Sequence, residues 1–224
     1  MKVIISGGFS ASYRELLPEF ERSTGIAVTT LSGASQGKGP ETIAAQLGRG
    51  VAVDVVIMSR EGLGELIAAG RIVAGSDRDL ATAALGAAVP LGTRRPDIGT
   101  VEAFKQALLS ARVVAVPAST SGIYLTDALF PRLGIADKLN VRVTPRGSQS
   151  AALVAAGGAD IAVQPTSELV REKGLEYLGP IPDELQLIQT FSAATRAADC
   201  EPLGVTLTLS LSAIASLGNS ASVR

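Results

Sequence analysis

Short apolar runs alternate with amphipathic stretches along most of the chain. Lys2–Ser6 reads as a strand, and a helix is predicted over about Ser12–Thr24, where Tyr13, Leu16, Leu17 and Phe20 recur at helical spacing and Gly25 supplies the stop. Ile26–Leu31 is the next strand, followed by the small and polar Ser32–Pro40 and a helix from Glu41 to Arg49 that Gly50 ends. Val53–Met58 is almost wholly apolar, the pattern of a parallel strand covered on both faces, and Glu61–Ala69 is a helix stopped by Gly70. After Leu85 the pattern restarts. Gly86–Leu91, Val113–Val116, Val141–Thr144 and Ile161–Gln164 read as strands. Helices alternate with them at Thr100–Ser110, Ser121–Leu133, Ser148–Ala156 and Ser167–Lys173, the first opened by Thr100 as a cap with Glu102 in its first turn. Leu185–Thr195 is again strand-like. This alternation predicts an α/β fold of two lobes with mixed, mostly parallel sheets. The restart near residue 85 and the return near residue 188 predict a second lobe, 85–188, inserted into a first lobe made of 1–84 and 189–224, with a hinge where the chain crosses twice.

Composition narrows the chemistry. With 46% apolar and 18% charged residues in 224, the chain can bury a core. Twenty Lys and Arg against 21 Asp and Glu leave a net charge of −1, without the basic excess of a nucleic-acid surface, and 4% aromatics with no Trp argue against a stacking groove. Histidine is absent, which removes Ser-His-Asp and Cys-His catalysis and His-ligated metals. One cysteine, Cys200, permits neither an internal disulfide nor a multi-Cys metal site, so no metal is expected. Lys38 lies in a Gly-Lys-Gly run but is followed by Gly39 rather than Ser or Thr, so it does not complete a P-loop, and no Gly-x-Gly-x-x-Gly run opens a helix. No cofactor is expected. The opening strand runs straight into glycines without a secretory leader, which predicts a periplasmic protein if a leader has been removed and a cytoplasmic one if Met1 is the native start. No membrane span is expected; Pro202–Val223 carries no charge, but its Ser, Thr, Gly and Asn suit a terminal strand and helix better.

Four strand-to-helix passages share small and hydroxylic residues: Ser6–Ser12, Ser32–Gly39, Pro117–Gly122 and Arg146–Ser150. In α/β sheets ligands collect beyond the carboxyl ends of strands, where unbonded helix N–H groups favour an anion. Capping alone also calls for Ser and Thr at such places, so the argument lies in having four of them. The candidate ligand contacts are Gly7, Gly8, Phe9, Ser10, Ser35, Lys38, Arg60, Ser119, Ser121, Gly122, Tyr124, Arg146 and Ser148. Lys38, Arg60 and Arg146 either neutralise an anion or are solvated surface cations. Tyr124 either closes the pocket or packs as core. Asp54, Glu41 and Glu61 read as capping or pairing groups.

The chain resembles the type II periplasmic binding protein family, in its molybdate-binding-protein-like branch, over roughly residues 2–198. The resemblance rests on Ser6-Gly7-Gly8-Phe9, on Phe20-Glu21-Arg22-Ser23-Thr24-Gly25, on Val53-Asp54-Val55-Val56-Ile57-Met58 and Ser121-Gly122-Ile123-Tyr124, and on Gly157-Gly158-Ala159-Asp160 and Gly179-Pro180-Ile181-Pro182. It implies two α/β lobes closing over a ligand. The hydroxyl that the family places in the first loop falls at Gly8, and the tyrosine that contacts the oxyanion in molybdate binders falls at Pro165, beside Gln164, a further candidate contact. In these departures, and in Pro96–Lys105 and Leu129–Ile135, the chain is more similar to the branch that includes aconitate isomerase. The expected function is a solute-binding module for a small anion, an oxyanion or a di- or tricarboxylate, acting as a monomer and serving an ABC-transporter permease if exported. The alternative is isomerisation of aconitate by movement of a proton and a double bond, with Lys38, a buried Glu or Asp, or Tyr124 as base. A cytosolic ligand sensor is a third reading.

Overall fold

The computed structural model describes residues 1–170 and 172–196. In chain order the first elements are β1 (Lys2–Ser6), α1 (Gly7–Thr24), β2 (Thr29–Gly33), α2 (Ile43–Gly48), β3 (Val55–Ser59), α3 (Arg60–Ala68) and β4 (Arg78–Ala83). Then come β5 (Leu85–Pro90), α4 (Val101–Ser110), β6 (Val114–Pro117), α5 (Thr120–Ile123), a π-helical turn Tyr124–Leu129, α6 (Phe130–Arg132), β7 (Val141–Thr144), α7 (Gly147–Ala155), β8 (Ile161–Pro165), β9 (Leu175–Pro180) and β10 (Gln189–Thr195). The chain forms two compact units. Unit 1 contains Met1–Thr82 and the described residues from Thr190 onward; unit 2 is Ala83–Gln189. The tail Cys200–Arg224, with the strand and helix expected there, lies outside the described residues.

Unit 1 is built on a five-stranded sheet in the order β2-β1-β3-β10-β4. β1 runs parallel to β2 and β3, while β10 returns antiparallel, with Phe191 opposite Ser59. Its core gathers Ile4, Val56, Met58 and Ala194 from the strands with Leu47, Leu63 and Leu66 from the helices, all buried. Unit 2 has a sheet of the same size, β7-β6-β8-β5-β9. β7, β6 and β8 are parallel and β5 is antiparallel to β8 and β9. Phe104, Leu108, Val116, Leu125, Leu129 and Phe130 fill its main core. The architecture is α/β with two mixed sheets, as expected.

Four local expectations change. The predicted helix Ser167–Lys173 is a 3₁₀ turn, Thr166–Glu168. The first helix begins at Gly7, directly after the strand, so Gly7, Gly8, Phe9 and Ser10 form its first turn rather than a loop. Buried packing of Phe9 against Phe191, with ring centroids 6.3 Å apart, outweighs the poor helix propensity of two glycines. The predicted helix Ser121–Leu133 is an α–π–α run. Strands β4 and β9, both at sheet edges, were not foreseen.

Candidate functional site

Because β7, β6 and β8 are adjacent and parallel, their carboxyl ends at Thr144, Pro117 and Pro165 share one edge of the unit 2 sheet. The three segments that leave that edge are α7, α5 and a 3₁₀ turn, Thr166–Glu168. Helix α7 has no side-chain cap. The Arg146 carbonyl takes the N–H groups of Gln149 (3.1 Å) and Ser150 (3.2 Å) and the Thr144 hydroxyl (2.8 Å), while Ser150 Oγ meets Thr144 Oγ1 at 2.7 Å. The turn is thereby fixed, and the N–H groups of Gly147 and Ser148 find no protein acceptor among the described residues. Next along the edge, Gln164 is fully buried. Its Nε2 lies 3.5 Å from the Glu168 carbonyl oxygen and its Oε1 has no partner among the described residues. Ser121 is also fully buried, with an unpartnered hydroxyl. Gly122 follows it because a Cβ there would overlap the Pro117 carbonyl, so only glycine lets the helix start this close to its strand.

Glu168, which sequence reading did not single out, closes the edge. Its carboxyl lies against Gly147 in the space a Cβ would occupy, and it makes no hydrogen bond or ion pair among the described residues. A strip of the side chain stays open to solvent, yet crowding by protein pushes the carboxyl up to about 7. The signal available in the sequence was only a carboxylate shortly after a strand end.

The corresponding edge of unit 1 lies at the carboxyl ends of β2, β1 and β3. Ser6, the residue before α1, is buried, caps nothing with its side chain and has an unpartnered hydroxyl. Gln189 opens β10, whose antiparallel course puts its start at the same edge, and its Oε1 is likewise buried and unpartnered. Other groups here are committed to the fold. Ser35 Oγ accepts the Ser59 N–H at 3.0 Å, and Ser59 Oγ caps α3 through the Gly62 N–H at 3.3 Å. The ring of Phe191 fills the space a side chain at position 8 would need, which explains why glycine stands there instead of a hydroxylic residue.

The remaining sequence candidates fall as follows. Phe9 is a core residue stacked on Phe191. Ser10 is half-buried in the first turn of α1, its carbonyl accepting Arg14 Nε at 3.2 Å. Arg60 pairs with Asp77 (2.5 Å) and Asp79 (3.5 Å); the guanidinium bond holds the Asp77 carboxyl below the usual carboxylate range. Lys38 is exposed between Gly37 and Gly39, whose φ values of 103° and 120° require glycine. Tyr124 packs against the unit 2 core and donates its hydroxyl to the Leu185 carbonyl at 3.0 Å. Ser119 precedes α5 without capping it through its side chain, Ser148 is exposed on the first turn of α7, and Arg146 is half-buried just before that turn. A separate groove of about 640 Å³ in unit 2 is lined by Arg94, Asp97, Arg112 and Asp160. It lies at the amino ends of β6 and β8, the opposite edge from the helix starts. There burial pushes Asp160 up, but bonds from Arg112 outweigh it and leave the carboxyl below its ordinary range. Among the described residues no group of side chains is arranged to hold a metal ion, and no helix is long and apolar enough to cross a membrane.

Two mixed five-stranded sheets, each with helices starting at the carboxyl ends of its parallel strands, define a solute-binding fold of the periplasmic-binding type. The family model for bacterial extracellular solute-binding proteins matches residues 1–201, and the chain belongs to that family. It is 36% identical over 197 residues to an aconitate isomerase from Pseudomonas sp., covering 87% of this chain and 74% of that protein. The periplasmic molybdate-binding protein of Azotobacter vinelandii has the same fold, with a TM-score of 0.75, 20% identity and 97% of each chain covered. So does the substrate-binding domain of a putative molybdenum ABC transporter from Clostridium difficile, with a TM-score of 0.66, 15% identity, and 96% and 91% coverage.

Proposed function

We propose that this protein captures a small, multiply charged anion of the di- or tricarboxylate class through hydrogen-bond donors at its strand edges. One observation carries the reading. Ser6 Oγ and Ser121 Oγ, buried hydroxyls without a partner among the described residues, each lie at the carboxyl ends of the parallel strands of their own sheet and can donate to an anion, while the equally unpartnered Gln164 Oε1 and Gln189 Oε1 can only accept from a protonated group of a guest. Burying a polar group unpaired costs about 1–3 kcal/mol, so hydroxyls left in this state at each edge fit groups that a ligand completes. Capture needs no cofactor: N–H and O–H donors and a nearby cation suffice. The proposal extends to export to the periplasm, which the match to an extracellular family supports, to a monomeric state and to delivery to an ABC-transporter permease.

The test is thermal unfolding and calorimetry with molybdate, sulfate, succinate, citrate and trans-aconitate. A polycarboxylate is expected to raise Tm, and the rise to grow with its concentration. Stabilisation by molybdate alone, or by none of these anions, would overturn the reading.

A second reading is supported by the aconitate isomerase relative: the same unit 2 edge moves a proton between the allylic carbons of a bound unsaturated polycarboxylate. In a chain without histidine, Glu168 is the carboxyl suited to that task, since burial brings it to about 7. One carbon loses a proton to the carboxylate, the double bond shifts, and the proton returns at the other end, so nothing is consumed. Interconversion of cis- and trans-aconitate, followed by absorbance, decides between capture alone and capture with turnover.

A further inference from the structure

We propose that Glu168 is a ligand-contacting residue of the unit 2 edge, and that an anion settles on the first turn of α7 only together with one proton, which Glu168 takes up. This rests on the reading of that edge as an anion site for capture alone, since a Glu168 neutralised on binding cannot also be the base that the isomerase reading requires. Three observations converge there. The Gly147 and Ser148 N–H groups begin a nine-residue helix without an internal acceptor. Ser121, fully buried at the same strand edge, has a hydroxyl that can donate and finds no partner among the described residues. The Glu168 carboxyl lies against Gly147, at the very turn whose N–H groups an anion would use. A solute carboxylate arriving there meets a second carboxylate at close range in a poorly solvated place, where two like charges do not both remain ionised. The solute, bearing several charges, keeps its own; Glu168 is neutralised and can then donate a hydrogen bond to the guest.

The surroundings favour proton uptake over pairing. Helix α7 carries no ionisable side chain, and the cation associated with it is Arg146, just before its first turn. β8 and β5 carry none. From β9, Tyr177 meets Thr166 Oγ1 at 3.1 Å and Glu176 is paired with Arg95. After the 3₁₀ turn the sequence runs through Arg171, which lies outside the described residues, to Glu172 and Lys173. Among the described residues no cation is paired with the Glu168 carboxylate, and its raised proton affinity fits that isolation.

The sign follows directly. Below about pH 7 Glu168 is already neutral, so anion affinity is flat and binding takes up no proton. Above it, affinity falls about tenfold per pH unit, and nearly one proton is absorbed per anion. Calorimetry of the wild-type chain with trans-aconitate over pH 6–9, in buffers of different ionisation heat, reads both quantities. Glu168→Gln, with folding checked by circular dichroism, is expected to bind equally well at pH 6 and pH 9 with no proton uptake. Binding by the wild type with a flat pH profile overturns the coupling and leaves the anion reading standing. A folded Glu168→Gln chain that retains the wild-type pH slope does the same. Failure of trans-aconitate, citrate and sulfate to bind at any pH overturns both.

Discussion

The strand edges of the two units are assembled from the same materials, small residues and hydroxyls ahead of helix starts, but they use them differently. In unit 1 the hydroxyls of Ser35 and Ser59 are taken up by backbone N–H groups, Arg60 is held by two aspartates, and the space beside Gly8 is filled by the Phe191 ring. Each edge keeps two buried side-chain atoms without a partner among the described residues, Ser6 Oγ and Gln189 Oε1 at the first and Ser121 Oγ and Gln164 Oε1 at the second, but only the unit 2 edge adds a carboxyl, that of Glu168, without an ion pair among those residues. An edge whose polar groups bond to each other is stiff and chemically quiet. One that leaves them open carries a standing cost that a ligand relieves. Under the proposed anion reading the Glu168 carboxyl gives unit 2 the larger part in selecting the solute, and that proposal can be broken by substitution.

The largest effect is expected at Gly122. A methyl group there meets the Pro117 backbone carbonyl rather than a side chain that can swing away, so Gly122→Ala must displace either α5 or the end of β6. Overpacking of this kind costs about 3 kcal/mol, and it also moves the Ser121 hydroxyl. Gly64 is the control: it is a helical glycine in unit 1 with open space where a Cβ would go. Gly64→Ala is expected to stabilise the chain by about 0.5–1 kcal/mol through helix propensity alone. Denaturant unfolding and anion titration of both variants measure the contrast; equal stability of the two would show that the close approach at Gly122 is not needed.

A smaller and more discriminating pair is Ser35→Ala against Ser121→Ala. Removing the Ser35 hydroxyl strips the buried Ser59 N–H of its acceptor, so stability should drop by about 1 kcal/mol with little change in anion affinity. Removing the Ser121 hydroxyl breaks no internal bond, so stability should hold or rise slightly while affinity falls about five- to tenfold. If Ser35→Ala weakens capture as much as Ser121→Ala does, the assignment of selectivity to unit 2 fails.

What the sequence could and could not reveal follows the same division. The buried parallel strands β1, β3, β6 and β8 announce themselves as apolar runs, and Thr100 announces its helix by capping it. The edge strands β4 and β9 do not, because their residues form neither an apolar run nor an alternation, whereas the other two edges, β2 and β7, carry the β-branched Thr29 and Thr30 and the alternating Val141 and Val143. Gly7 and Gly8 looked like a loop because propensity is local, whereas the Phe9–Phe191 contact that winds them into helix joins positions far apart in the chain. The hydroxyl-rich passages did mark Ser121, and Gln164 was reached through its position beside Pro165. Glu168 could not be read, since its character comes from lying against Gly147, which no spacing encodes. Arg60 misleads in the opposite direction: a cation at a strand end looks available until Asp77 and Asp79 are seen beside it.

Arg60 therefore supplies the smallest expected effect and the sharpest check on the argument from unpartnered groups. Its side chain and those of its two aspartates keep contact with solvent, with Arg60 45% and Asp79 58% exposed, so water and salt screen the pairs. Such a surface arrangement contributes about 0–1 kcal/mol, and Arg60→Ala should lower stability by no more than that, with the loss shrinking further in high salt. The Asp77 carboxyl, held low by Arg60, should return toward its ordinary value in the variant. The part of the stability that is lost on acidification through Asp77 should then shrink, because it exists only while the folded carboxyl is held below its unfolded value. Anion affinity should stay within about twofold, because a guanidinium already engaged by two carboxylates has little charge left to offer a guest. A tenfold loss of affinity in Arg60→Ala would mean that committed groups are recruited on binding, and availability could then no longer be inferred from internal bonding at either edge.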